Sequence, residues 1–481
     1  MKTKHFISAN HLESLDELTN IIAKVNETMK TQLTENRYCY SGLSPKDLNE
    51  LIISTQNIAE EGCDLNTLLK DVITPYFKHS TNIYSPFYMA HLHSTVSKET
   101  VLGEYLIGLL NPSMDSWDQA PFATEIDELV TKLFLDRVYP GDNNTDGVFT
   151  SGGSQSNLMG ILLARDEKRN RHEIRSRESA LGSVEGKYRI YCSSVSHFTV
   201  EKSAWLLGLG TDSVVKLPVD DKFKIDLKKF KEIIAHDVEQ GLIPMCVVST
   251  AGTTDYGSID PIDEIALIAK EYEMWHHIDA AYGGAMIFNK NIKWTEHFEK
   301  SDSITIDMHK MLFQPISSSL FLYKTTKASD NLNFESDYLS RKEDIANGIK
   351  NLVDKSLQTS RRFDALKLLL TFKSMGLQEI HNQLEALLQL AKDCHQYLLS
   401  CNEIETLNAP ELSSVVFRHK SNNEVNKKIR DSLIARGIII GETKHNKETY
   451  LKFTLLNPNA DLENLKEVID SIIKTGNELW T

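Results

Sequence analysis

From about Tyr84 to about Lys324 the chain alternates apolar helical stretches with short β-rich runs, and this alternation leaves few folds open to it. Glu125 to Asp136 has helical spacing, whereas Tyr188 to Cys192, Met245 to Ser249 and Ser319 to Tyr323 are short and rich in β-branched and aromatic residues. That composition predicts an α/β fold with a mostly parallel sheet covered on both faces. Such sheets collect ligands at the carboxyl ends of their strands, so functional residues are sought there.

The flanks read differently. Before residue 84, Leu12, Leu15, Leu18, Ile21 and Ile22 recur at helical spacing, and Ser44-Pro45-Lys46-Asp47 has the form of a helix start, with an N-cap, a proline at the first position and an acid in the first turn. These helices have little core of their own and must pack on the rest of the chain or on a second subunit. Residues 325–355 are charged and poor in aliphatics, as expected of a mobile surface loop. A helical region from about Ser360 to Ser400 precedes a compact α+β tail. The expected division is a helical N-terminal segment over 1–83, a large domain over 84–375 and a small domain over 376–481.

A chain of 481 residues with 41% hydrophobic and 25% charged residues is an ordinary globular composition. Its net charge of −14 argues against nucleic acid as a partner, since phosphate backbones are bound by concentrated Lys and Arg. The six cysteines form no C-x-x-C pair, so neither a zinc site nor a disulfide framework is suggested. No apolar run approaches the length of a membrane span, and the opening residues carry no apolar signal core; the expectation is a cytoplasmic protein.

Two strand-like runs carry the chemistry. Ser303 to Lys310 ends Asp307-Met308-His309-Lys310, and Trp275 to Gly284 contains His277-Ile278-Asp279-Ala280-Ala281. A lysine amine that forms a Schiff base, with a carboxylate that keeps a pyridinium nitrogen protonated, is what a pyridoxal phosphate site requires. Lys310 follows Asp279 by 31 positions (310 − 279), room for one strand-helix-strand crossover. Singly, each has a plainer reading: a strand-end lysine is usually solvated, and a carboxylate amid Ile278, Ala280 and Ala281 needs a cation that a structural arginine would equally supply.

Three further segments end β-rich runs. Thr150-Ser151-Gly152-Gly153-Ser154-Gln155-Ser156-Asn157 leads into the helical Leu158 to Arg165, so Gly153 and Ser154 sit where backbone N–H groups and a helix N-terminus favour a phosphate, or where a plain tight turn is capped by serine. His197 offers a flat ring that stacks on a pyridine or forms a core hydrogen bond. Ser249 to Thr254 ends in hydroxyls, with Thr254 a candidate cofactor contact or an ordinary loop residue.

With these residues collected, the chain resembles the group II pyridoxal-dependent amino acid decarboxylases, on the ordered set Ser151-Gly152-Gly153-Ser154, His197, His277 to Ala281 and Asp307 to Lys310. The resemblance implies a fold type I pyridoxal 5'-phosphate enzyme: a seven-stranded, mostly parallel sheet, a helical N-terminal segment exchanged in an obligate homodimer, and a small α+β C-terminal domain. It makes Lys310 the Schiff-base lysine, Asp279 the pyridinium partner and His197 the stacking ring, with Gly153, Ser154 and Thr254 at the cofactor or its phosphate, and Asp307 and His309 beside them. Ser336-Asp337-Tyr338-Leu339-Ser340 is similar to the family's catalytic loop, in which the tyrosine protonates carbon, making Tyr338 the general acid.

Asn111 to Pro121 and Gln314 to Ser319 are most similar to the decarboxylases of siderophore pathways that act on lysine, ornithine or 2,4-diaminobutyrate. This implies a diamine product, with Asp115 or Asp118 at the distal ammonium unless they cap a helix, and Gln314 near the substrate. The alternatives are a decarboxylase for aromatic or acidic amino acids, an aminotransferase using the same Lys and Asp, and a pyridoxal phosphate-binding protein without catalysis.

Overall fold

The computed structural model describes residues 7, 13–35, 39–56, 58–174, 178–334 and 347–480. Twelve strands are defined there: β1 (Tyr88–Met89), β2 (Thr145–Thr150), β3 (Tyr188–Ser193), β4 (Val214–Leu217), β5 (Ile243–Thr250), β6 (Trp275–Asp279), β7 (Ser303–Asp307), β8 (Ser319–Lys324), β9 (Ile404–Thr406), β10 (Ser414–His419), β11 (Ile439–His445) and β12 (Glu448–Thr454). Seven form one sheet in the order β2-β8-β7-β6-β5-β3-β4. Only β8 runs against its neighbours, and β2, at the edge, pairs with β8 alone.

The side chains explain why this sheet is buried on both faces. Along β8, Leu320 and Leu322 enter one core with Ile278, Ile304 and Ile306, while Phe321 and Tyr323 enter another with Met159, Leu163 and Val248. Fully burying one such aliphatic side chain contributes about 1.5–3 kcal/mol, so alternation over adjacent strands fixes the register strongly. The link between β6 and β7 differs from the expected α-helical crossover: it consists of two 3₁₀ segments, Gly283–Phe288 and Trp294–Lys300. The chain passes too close to its neighbours for bulk at the first of them, since a Cβ on Gly283 would stand 2.5 Å from the Ala251 carbonyl oxygen.

The second sheet, β1-β11-β12-β10-β9, belongs to the C-terminal unit. The helices Asn423–Ala435 and Leu462–Trp480 cover it through Ile429, Leu433, Val468 and Ile472. Its edge strand β1 lies in the stretch expected to open the large domain, and it pairs in parallel with β11. The helix Asp364–Leu399 serves both units: Leu368 and Leu384 pack in the large core, Ala391 and Leu398 in the small one. Its one non-helical residue is Gly376 (φ 74°), at the expected domain boundary.

Ser44 caps the helix Pro45–Thr55 as the sequence suggests, accepting the Asp47 N–H, yet none of that helix is buried. The N-terminal segment is tied down at Cys39, whose N–H donates to the Gly437 carbonyl (2.9 Å). The charged stretch 325–355 departs from a simple mobile loop at both of its described ends. Leu332 and Leu352 are buried, and Lys355 bridges Glu128 and Asp146 at 2.6 Å each. Among the described residues no helix is long and apolar enough to cross a membrane.

Candidate active site

Strands β2, β3, β5, β6 and β7 run in one direction, so their carboxyl ends open on the same edge of the sheet. Each contributes the segment that follows it, and together they line a cavity of about 340 Å³. After β2, Gly152 adopts φ 141°, a conformation reserved for glycine, and the helix Gly153–Arg171 starts with no side-chain cap. Thr150 and Ser319 hold the turn from below through the Ser156 hydroxyl, at 2.7 and 3.0 Å. Its first amides are therefore left for an anion.

After β3 comes His197, half-buried, with burial pushing its imidazole below the usual range. The Thr199 N–H points at its Nδ1 (3.4 Å), so that nitrogen is an acceptor. Past β5, Thr254 is held by the small domain, because Lys452 Nζ donates to its carbonyl (3.0 Å) and to Asp255 (3.2 Å). At the end of β6, Asp279 accepts from the Ala281 N–H (3.1 Å) and from Asn157 Nδ2 (2.9 Å). Among the described residues no Lys, Arg or His pairs with this carboxylate, so none of them is the structural arginine that the sequence left open.

Beyond β7, Lys310 Nζ lies 3.0 Å from Asp307 Oδ2. His309 Nδ1 lies 2.7 Å from the Ser318 carbonyl oxygen and is oriented by it. Asp307 Oδ1 is buried and has no hydrogen-bond partner among the described residues. The structure thus brings Gly153, Ser154, His197 and Thr254 to one cavity with Asp279, Asp307, His309 and Lys310.

Three residues expected at the substrate are elsewhere in the single chain. Asp115 Oδ1 accepts the Ser116 N–H (2.7 Å) and Asp118 Oδ1 the Ser116 hydroxyl (2.6 Å), so both shape the short 3₁₀ turn Trp117–Gln119. Short acidic side chains beside a turn find backbone and hydroxyl donors before anything more distant. Gln314, buried, gives its amide to the Leu312 carbonyl (2.8 Å) and Thr371 (3.2 Å). None of the three lines the cavity, and Tyr338 lies outside the described residues.

Sequence reasoning passed over Leu92, Thr250, Ser317 and Asn157. The first three line the cavity, and Asn157 reaches Asp279 from behind it. Thr250 is the last residue of a strand whose end was already singled out, and that was the available signal; Leu92 arrives from the loop after β1, to which no motif points.

Residues 45–420, most of the chain, match the family model described as "Pyridoxal-dependent decarboxylase conserved domain". The chain belongs to the pyridoxal-dependent decarboxylases. It is 34% identical to an L-2,4-diaminobutyrate decarboxylase of Acinetobacter baumannii, with 96% of this chain and 94% of that protein covered, and 33% identical to one of Rhizobium meliloti (98% and 94%). Among solved structures it superposes on the glutamate decarboxylase domain of diaminobutyrate-pyruvate transaminase and L-2,4-diaminobutyrate decarboxylase from Vibrio parahaemolyticus, with a TM-score of 0.89, 33% identity and coverage of 99% and 98%.

The fold is accordingly the type I fold of pyridoxal phosphate enzymes, and this decarboxylase uses that cofactor to act on an amino acid. The residues present fit it. An amine, a buried carboxylate, an uncapped helix start and an Asp307 oxygen face one cavity, the carboxylate without a cationic partner and the oxygen without a donor among the described residues, and a Cβ on Gly153 would intrude on it.

Proposed function

We propose that this decarboxylase converts an L-diamino acid, with L-2,4-diaminobutyrate preferred over ornithine and lysine, to a diamine and carbon dioxide. The observation that carries the reading is the end-to-end similarity to two proteins named L-2,4-diaminobutyrate decarboxylase. With that substrate, loss of the carboxylate as carbon dioxide and uptake of one proton at Cα leave propane-1,3-diamine.

Pyridoxal phosphate supplies an aldehyde that condenses with amines and a ring that accepts the electron pair released at Cα. In this reading Lys310 is the amine that holds the cofactor, and Asp307 holds the Lys310 ammonium when it is free. Asp279, fixed by two hydrogen bonds and with no cation paired to it among the described residues, would hold a proton at the ring nitrogen of the bound cofactor. His197, whose imidazole partial burial pushes toward the neutral form, offers a flat face. The amides that open the helix Gly153–Arg171 take the phosphate with the Ser154 hydroxyl, while His309 and Thr254 border it. Tyr338 is assigned the delivery of the proton to Cα.

The same proposal extends to a homodimer. Ile53, Ile58, Leu110 and Phe122 are more than two-thirds exposed, and a second copy would cover such apolar surface. Light scattering should give about twice 54.5 kDa, and a monomer would overturn this part. The cytoplasm is the proposed compartment, and a siderophore the proposed destination of the diamine. If so, deletion of the gene should abolish the siderophore and added diamine should restore it.

The deciding experiment measures carbon dioxide release from 2,4-diaminobutyrate, ornithine, lysine, and aromatic and acidic amino acids. The highest kcat/KM is expected with 2,4-diaminobutyrate, and Lys310→Ala should lower it by about a thousandfold or more. Preference for an aromatic or acidic amino acid would overturn the substrate assignment, and full activity of Lys310→Ala would overturn the site.

A further inference from the structure

Behind the cavity the inner face of β6 and β7 is polar where its neighbours are apolar. His277, Ser303 and Thr305 project from it, all fully buried, and the helix Gly153–Arg171 crosses directly over them. The approach is close enough that a Cβ on Gly160 would stand 2.5 Å from His277 Nδ1. One turn earlier the helix places Asn157 over this patch, 2% exposed.

The four polar valences of the Asn157 amide are all used. Its Nδ2 donates to Asp279 Oδ2 (2.9 Å) and to Thr199 Oγ1 (3.0 Å); its Oδ1 accepts from Thr305 Oγ1 (2.8 Å) and faces His277 Nε2 (3.0 Å). The carboxylate of Asp279 only accepts, and this fixes which end of the amide is which. His277 Nε2 must then carry its proton. Burial keeps that imidazole neutral, so its Nδ1 is free to accept from the Ser303 hydroxyl (2.8 Å), which in turn accepts from the Trp275 indole N–H (2.8 Å). On the other branch the Thr199 hydroxyl, having accepted from Asn157, donates to His197 Nδ1 (2.9 Å). Reading from the indole, a group that only donates, and reading from the carboxylate, a group that only accepts, gives the same polarity at every link.

We propose that Asn157 is a positioning residue that sets the carboxylate of Asp279 and the ring of His197 with a single amide. The inference rests on the assignment of Asp279 and His197 to the cofactor. Asn157 touches neither cofactor nor substrate; it acts by fixing one carboxylate oxygen and, through Thr199, the tautomer of His197, with its neutral ring protonated on Nε2. A buried network with every member satisfied holds its members in one arrangement.

The test is a double-mutant cycle read by the affinity of apoenzyme for pyridoxal phosphate, titrated by visible absorbance, beside steady-state kinetics. Asn157→Ala should weaken cofactor binding about tenfold and lower kcat about 10–100-fold, with the amino acid KM changed far less, the scale seen when partners of directly binding groups are removed. In an Asp279→Ala background the same substitution should raise the dissociation constant by a clearly smaller factor, about threefold or less, since only the branch through Thr199 to His197 remains. If Asn157→Ala does not fold, the isosteric Asn157→Asp, which turns a carboxylate toward Asp279, should weaken binding at least as much. Unchanged affinity in the folded variant, or an equal loss in both backgrounds, overturns the positioning role. Should Asp279→Ala itself leave affinity and kcat intact, the underlying site assignment fails instead.

Discussion

Asp307 closes directly on the backbone of Gly153: a Cβ at position 153 would meet its Oδ1 at 2.9 Å. The carboxylate is 3% exposed and paired with Lys310, so a methyl group at position 153 would displace it from its place beside that amine. As the first residue of its helix, Gly153 should tolerate alanine in the backbone, with a propensity gain of up to about 1 kcal/mol. Gly153→Ala is therefore expected to leave the thermal midpoint nearly unchanged while weakening pyridoxal phosphate about tenfold or more, since displaced groups at a built site cost at least this much. Cofactor titration and calorimetry on one preparation check the split.

His276 and His277 are buried side by side in β6, and burial pushes their imidazoles down to about 3 and about 4. Unfolding lets each take up a proton near its ordinary value of about 6.5. The stabilisation from keeping them neutral inside is thus fully present above about pH 6.5 and is lost as pH falls toward the folded values, at about 1.4 kcal/mol per pH unit for each group. Urea midpoints measured at pH 7 and pH 5 should drop accordingly, and His276→Gln should shrink the drop. An equal drop in that variant would contradict the account.

Arg169 and Glu185 form an ion pair with side chains 1% and 3% exposed, at the far end of the helix from the cofactor site. Removing one partner strands a buried charge, so Glu185→Ala should destabilise the protein by about 3–5 kcal/mol. The folded fraction should still bind pyridoxal phosphate with wild-type affinity. Denaturant unfolding and cofactor titration separate the two quantities.

Lys452 reaches from β12 to the Thr254 carbonyl and to Asp255. Lys452→Met keeps the length of the side chain and removes both contacts. Cofactor affinity should fall about threefold to tenfold, the scale of one hydrogen bond of about 1 kcal/mol acting indirectly, with a smaller effect on kcat at saturating cofactor. A loss of kcat larger than the loss of affinity would mean that Lys452 reaches the chemistry itself.

Legibility of the sequence followed the range of the interactions involved. Strands β3, β5 and β8 and the cap at Ser44 were readable because they depend on neighbours two to four residues away. Asp279 and Lys310 were readable as a pair because their chemistry is specific. What Asn157 does was not, since its partners at 199, 277, 279 and 305 come from three other segments and only folding brings them together. Asp115 and Asp118 are a different case: their residue type suits an ammonium, and within the single chain both accept from Ser116.

The edge position of β2 also bears on the order of assembly. This strand carries the phosphate turn at its end, yet its only partner in the sheet is β8, some 170 residues later in the chain (319 − 150 = 169). On the ribosome β2 has no strand to pair with until Lys324 has emerged, however early it was made. Capture of pyridoxal phosphate by the nascent chain must therefore wait for the last strand of the sheet, and a chain truncated before β8 should emerge without the cofactor even though Gly153, Asp279 and Lys310 are all present.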